Sequence, residues 1–558
     1  MGEIIRLNVT EKNKIDVAFG KIENGDVIGG VSMLLNAAND GASDEVYYHL
    51  GVIYNEIGLY DYSLNNFYRY LGTAGKHGKC RAYNGIASCF VHLGNNELAS
   101  YYYDRQLDVS KTLECDFEDD MYDFFDFMVD KTRDKSNFRI IDDEEEYSNA
   151  LINGKKLMAD EDYDGALKML DRVPMSSESY TEAATNCAIC YFMQDKIDGA
   201  IYILQDLIAG GKADFSAYEN IVNMLYASDR TDEAEAYARE MCKIKTDDLN
   251  DEVRAVVALC NLSMDKEIEK KTAEILKDNP YFVSVYTVRG IALYNLGKYK
   301  ESYNILRKNY LLTRNEIAFH YLLKVQAVMD GKAEYTPFKY ARDFKNEAFV
   351  QKVVRIESWS KMPLSALKKE SKDELFSTCE WCIDVQSPTL VTSVCTVIAR
   401  LNSKKTNEFL ANLLCRVDIA ENAKTFIIYL LVKNGYDKTK GVVFADLYMP
   451  LKFYKAEFDG DDGRFSEAYA YAFSKIAPLV GDKSKKLREC AYEYFNRFHG
   501  DGIDDKIDGY QSLATAIVLD AGLNPVKNKN SLYKYFGANK SQVLRLQKLF
   551  MGVDDENN

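Results

Sequence analysis

Residues 283–309 read VSVYTVRGIALYNLGKYKESYNILRKN, and this stretch decides the fold. Tyr286, Gly290 and Leu293 recur at helical spacing and share one face of a first helix. Gly297 marks a turn, Tyr299 opens a second helix, and Ser302 and Leu306 lie one turn apart on it. Two helices joined by so short a turn fold back on each other, with small residues where their backbones approach.

The same spacing returns on both sides. Upstream it is carried by Tyr47, Gly51, Tyr54, Gly58, Tyr60, Ser63 and Phe67, and then by Tyr83, Ala87, Phe90, Gly94, Ala99 and Tyr103. A partial copy precedes them with Gly25, Gly30 and Leu34. Further copies start at Tyr147 (Gly154, Leu157, Tyr163, Ala166, Leu170), at Thr181 (Ala184, Ala188, Tyr191, Ala200, Leu204) and at Phe215 (Tyr218, Val222, Leu225, Ala234, Ala238). The unit between Asp251 and Pro280 is degenerate, and 317–331 reads as half a unit or a cap. This spacing resembles the tetratricopeptide (TPR) repeat, a helix pair of about 34 residues. The resemblance implies an all-α fold, an α-α superhelix (TPR-like solenoid) of about eight units in which each pair buries its apolar face against its neighbours.

Past Tyr335 the repeat register is lost while the helical period continues. Residues 338–360 and 364–386 read as amphipathic helices, and 387–402, 406–416 and 422–434 follow as irregular, HEAT-like helices. EFDGDDG at 457–463 marks a boundary, and helices are expected near 464–480, 483–498 and 507–522. The expected division is therefore 1–335 for the TPR-like array, 336–460 for the irregular helical region and 461–558 for a small C-terminal helical domain. The closing NSLYKYFGANKSQVLRLQKLF has helix-turn-helix spacing, with a turn at Gly537–Asn539 and a second helix from Lys540.

Composition fits a folded helical protein. The chain has 558 residues, 47% of them hydrophobic and only 8 of them proline, too many residues for one core and too few prolines to interrupt long helices. A net charge of −16 argues against wrapping nucleic acid over the whole surface but permits one local basic patch. The N-terminus lacks a signal pattern, and FIIYLLV at 426–432 is too short to span a bilayer, so a cytoplasmic protein with reduced thiols and no membrane contact is expected.

Chemistry has little support in the sequence. Two CxxC pairs, Cys187/Cys190 and Cys379/Cys382, are too far apart in a solenoid to share a zinc ion and read as small buried hydrophobes. His49, His77, His92, His320 and His499 form no ligand cluster, and the sequence contains no phosphate loop, dinucleotide fingerprint or nucleophile elbow. No metal, no cofactor and no catalysis are expected.

Binding remains. In TPR arrays the first helix of each pair lines the concave groove, and the resemblance places Arg81, Asn84 and Ser88 there in one repeat. Glu219, Asn223 and Tyr226 take these places in a second, and Ser284, Thr287 and Tyr294 in a third. Asn and Tyr suit an extended protein or peptide ligand, because they bond main chain while offering aromatic surface. The aromatic, acidic stretch 114–146 fits either a packed helix and linker or a segment docked in that groove. The leading expectation is a non-catalytic scaffold or adaptor for protein–protein interaction. The alternative is a transcription-linked regulator in which Lys540, Ser541, Gln542, Arg545 and Lys548 contact nucleic acid.

Overall fold

The computed structural model describes residues 11–40, 44–111, 143–246, 248–340, 347–500, 507, 509–525 and 529–552. Most of the acidic stretch, 114–142, lies outside these residues. Among the described residues the chain is all-α apart from one antiparallel pair of strands, β1 (Thr439–Phe444) and β2 (Leu447–Lys452). The described residues gather into two compact units. The first is drawn from Met1–Phe125, Leu311–Ile317 and Phe344–Asn558, the second from Asp126–Tyr310 and Ala318–Asp343.

Eight helical hairpins carry the TPR-like character. They pair Glu11–Glu23 with Val27–Asn39, Glu45–Glu56 with Tyr60–Leu71, Lys76–His92 with Asn96–Ser110, and Asp143–Ala159 with Tyr163–Leu170. They continue with Tyr180–Met193 and Ile197–Ala209, Phe215–Ala227 and Thr231–Met241, Leu249–Asn261 and Asp265–Asp278, and Tyr286–Asn295 and Tyr299–Thr313. In every hairpin a residue with positive φ lies two positions before the second helix: Gly25, Gly58, Gly94, Glu161, Asp195, Asp229, Ser263 or Gly297. A left-handed residue at that point stops the first helix and reverses the chain. Glycine takes the conformation without steric cost, so the four other residues hold it against their own preference.

The seam inside each hairpin follows from the small residues. Phe67 fills the gap opposite Gly51 and Gly85, where an added Cβ would come within 2.7 and 2.3 Å of its ring. Leu306 lies against Gly290 in the same way, at 2.6 Å. The serine of the second helix then closes the approach: Ser63 Oγ donates to the Gly51 carbonyl at 2.7 Å, and Ser302 Oγ to the Gly290 carbonyl at 2.6 Å. The same bond in both units shows one local design used twice.

The second half of the first unit has one continuous apolar core, from Ile356 and Trp359 through Phe453 and Phe473 to Leu546. Its helices include Lys372–Asp384, Pro388–Arg400, Lys404–Leu413, Glu421–Lys433, Arg464–Val480 and Lys485–Gly500. The helix expected over 338–360 begins at Glu347 instead. Residues 334–340 are extended, because Pro337 lacks the N–H a helix needs and the flanking residues are held by side chains of the second unit. The β1–β2 pair was not anticipated at all.

Candidate functional site

In the second unit a segment of the chain is already seated against Tyr294, Asn295 and Tyr321, the surface we call the groove. Helix Glu316–Met329 ends at a turn, with Gly331 in the left-handed conformation, and residues 334–340, EYTPFKY, then run extended over the unit's own helices. We call this segment the strap. Its centre is Phe338, whose ring stacks on Tyr294 at 3.8 Å and meets Tyr321 at 4.9 Å. Asn295, the last residue of helix Tyr286–Asn295, bonds the main chain on both sides of that ring. Its Oδ1 accepts from the Phe338 N–H at 2.9 Å, and its Nδ2 donates to the Phe338 carbonyl at 3.0 Å.

An Asn amide used in this way reads an extended main chain without reading its side chains. Its geometry is fixed in turn by Asp265, which accepts from Asn295 Nδ2 at 3.0 Å. The same carboxylate oxygen accepts from the Tyr340 hydroxyl. In an extended chain, residues i and i+2 face the same way, so Phe338 and Tyr340 both point into the unit while Lys339 faces water. Burial, with the neighbouring Asp265 carboxylate, raises the Tyr340 pKa well above its ordinary value. Burial also raises that of Tyr294, partly offset by a hydrogen bond from the Thr336 backbone. The Tyr335 ring lies tilted against Tyr294 at 5.3 Å and Tyr299 at 6.3 Å.

The groove residues expected from sequence divide three ways. Asn84, Asn223 and Tyr226 face solvent, Tyr226 with 43% of its surface exposed. Others are engaged within their own unit. Arg81 donates to Glu45 at 2.9 Å and to the Tyr70 hydroxyl at 2.7 Å, and lies over the Tyr48 ring. Ser88 accepts from Asn55, Thr287 accepts from Asn309, and Glu219 pairs with Arg254. Tyr294 is not solvent-facing as expected: only 1% of it is exposed, because Phe338 covers it. The sequence reading missed Asn295, its neighbour. The signal that could have found the strap is the alternation of aromatics around Pro337 in EYTPFKY.

The C-terminal helix pair has the expected form, Lys529–Phe536 and Lys540–Phe550 around Gly537. Lys540, Ser541 and Lys548 are exposed, and the Ser541 hydroxyl bonds the capping Asn539 at 2.6 Å. Gln542 corrects the sequence expectation. It is 8% exposed, on the same helix face as the core residues Leu546 and Leu549, and Arg545 is half-buried.

The first unit holds a cavity of about 480 Å³ with Asp61, Asp418, Glu421, Lys424 and Asp446 in its wall. Two of these charged groups, Asp418 and Lys424, already have structural work. Burial would raise the Asp418 pKa, but the adjoining Arg416 guanidinium outweighs it and holds the carboxyl below the usual range. Lys424 donates to the Val443 carbonyl at 2.7 Å, with its own pKa lowered by burial. Ser387 caps helix Pro388–Arg400 through the Leu390 N–H. Cys379 and Cys382 are fully buried, with Cys395 Sγ 3.9 Å from Cys379 Sγ, and burial pushes the Cys382 thiol up to about 12. Such thiols stay protonated and unreactive at neutral pH. Among the described residues no group of His, Cys, Asp and Glu is arranged to hold a metal ion, and no helix is long and apolar enough to cross a membrane.

No family model and no curated protein matches the sequence. Among solved structures, the chain is similar to the P58(IPK) TPR domain at 10% identity and a TM-score of 0.18, over 58% of this chain and 99% of that one. It is similar to a structure of Naa15/Naa10 bound to HypK-THB at 11% identity and a TM-score of 0.26, over 97% and 68%. It is similar to yeast Tom70 at 13% identity and a TM-score of 0.19, over 98% and 99%. Superpositions this loose do not identify a relative, and the TPR-like character rests on the hairpins themselves.

Proposed function

We propose that this chain is a non-catalytic adaptor that binds extended segments of other proteins on the first-helix face of its TPR-like hairpins. One observation carries the reading: Asn295 grips both main-chain polar groups of Phe338 while Tyr294 and Tyr321 receive its ring. A groove that holds one extended segment by its main chain is equipped for others of similar shape. Asn84, Asn223 and Tyr226, exposed on first helices, extend the same chemistry along the hairpins. The divisions 1–335, 336–460 and 461–558 belong to this proposal as functional segments, with ligand binding assigned to the first. A cytoplasmic setting is part of the same reading.

Quantitative affinity capture with the full chain tests it. Asn223→Ala with Tyr226→Ala, and separately Asn295→Ala, are each expected to deplete partners at least several-fold relative to the native chain. A partner list unchanged in both variants would remove the first-helix face as the binding surface.

A further inference from the structure

We propose that the strap is a displaceable occupant of the Asn295 groove, and that it spells the chemistry of the partner segment that replaces it. This rests on the adaptor reading above. The partner is an extended protein segment with an aromatic residue, any residue, and then tyrosine, led by proline or another helix breaker.

The leading proline keeps the segment out of a helix, and the aromatic and the tyrosine each come from a contact. The groove needs an extended residue whose N–H and C=O both face Asn295. It needs a flat ring at that residue to lie between Tyr294 and Tyr321. Two residues on, it needs a hydroxyl that reaches Asp265, which a tyrosine supplies and a phenylalanine does not. The residue between them faces water and is unrestricted, as Lys339 is here.

The attachment of the strap marks it as replaceable. Residues 334–337 and 339 are all exposed, and Phe338 and Tyr340 are only half-buried. The segment belongs to no helix or strand, so its removal breaks no ladder of backbone bonds. The polar groups it would leave behind, on Asn295 and Asp265, sit at a surface where water can replace it. A ligand that supplies the same groups therefore competes on nearly equal terms per contact. The advantage of the strap is its tether, which gives it an effective concentration of order millimolar.

Fluorescence anisotropy with a labelled peptide of residues 332–340, KAEYTPFKY, tests this on the full-length chain. The native protein is compared with one whose residues 334–340 are replaced by a Gly-Ser run of equal length, and with that protein also carrying Asn295→Ala. Removing the tethered competitor is expected to tighten peptide binding by about tenfold or more, and Asn295→Ala to abolish the gain. A peptide with alanine in place of both Phe338 and Tyr340 is expected not to bind. Equal binding by the native and Gly-Ser proteins, lost with Asn295→Ala, would overturn displacement while leaving the adaptor reading intact. No binding by a Gly-Ser protein with native circular dichroism would remove both. If that replacement prevents folding, Phe338→Ala in the full chain keeps the backbone and permits the same comparison.

Discussion

Two short non-helical segments lie on TPR-like hairpins in this molecule, the β1–β2 hairpin in the first unit and the strap in the second, and they are attached in opposite ways. The β-hairpin is tied in through buried groups on second helices. Tyr68 and Tyr102, on Tyr60–Leu71 and Asn96–Ser110, both donate to the Asp446 carbonyl, at 2.8 and 2.6 Å, and Tyr102 also accepts from the Tyr448 N–H. Val442, Val443 and Leu451 are buried, and the Val443 N–H and C=O bond Leu414 and Lys424. A lone two-stranded hairpin is marginal in water, so this one exists because the unit holds it. The strap lies on Tyr294 and Asn295 of a first helix, on Asp265 of a second and on Tyr321 of helix Glu316–Met329, through one amide, ring contacts and tyrosine hydroxyls. Where the backbone of a segment is bonded within itself and its apolar residues are buried, the segment is structure. A segment that borrows its backbone partners from a side chain and leaves most residues in water behaves as a ligand does.

The largest expected effect breaks the β-hairpin side of this contrast. Tyr102→Phe leaves the Tyr448 N–H without its partner and removes a donor from Asp446, and is expected to cost about 1–3 kcal/mol, read as a lower denaturation midpoint. Asn295→Ala is expected to leave the midpoint nearly unchanged while hydrogen exchange over 334–340 rises. Comparable losses of stability in the two variants would erase the distinction between structure and occupant.

Next come the strained turns. Ala445 and Asp446 form the two-residue turn of the β-hairpin with φ of 47° and 59°, where an alanine is strained. Ala445→Gly is expected to stabilise the first unit by about 1 kcal/mol, and Glu161→Gly the second by a similar amount, both measured by urea denaturation. Gain in neither variant would mean that the surroundings, and not the residue, set these conformations.

A further effect bears on the first unit through pH. Within the first unit, burial raises Glu316 and Asp384 to about 7, and the Glu316 N–H donates to Asp384 at 2.7 Å. Both carboxyls keep their protons to higher pH when folded. Their contribution to stability is full below the ordinary carboxyl pKa of about 4 and is lost as pH rises through the folded value. The first unit is therefore expected to unfold more easily at pH 8 than at pH 5.5, and Glu316→Gln with Asp384→Asn to flatten that slope. An unchanged slope would show that these groups are hydrated in the folded chain. The smallest expected effect is on nucleic acid. A gel shift with the full chain at low salt is expected to show none, and a shift that weakens as salt rises would favour the regulator alternative and point to Lys540 and Lys548.

The helical hairpins were legible because the residues that make them are near neighbours. Gly290 and Leu306, or Gly51 and Phe67, meet within one pair, so their spacing is written in the chain. The β-hairpin left little trace. Its turn is Ala-Asp where an Asn-Gly would announce it, and Pro450 in β2 argues against a strand. Only residues 338–340 of the strap fall in a stretch with helical period, and Asn295 differs in no sequence signal from Thr287 and Tyr294 on the same helix.

The sequence by itself determined where the chain turns and which faces of its helices are apolar, because φ preferences and three-to-four residue spacing act over a dozen residues. Only the tertiary structure decided what lies on those faces. Asn295 meets Phe338, and Tyr102 meets Asp446, across separations with no period, where loop closure and the shape of the packed surface choose the partner.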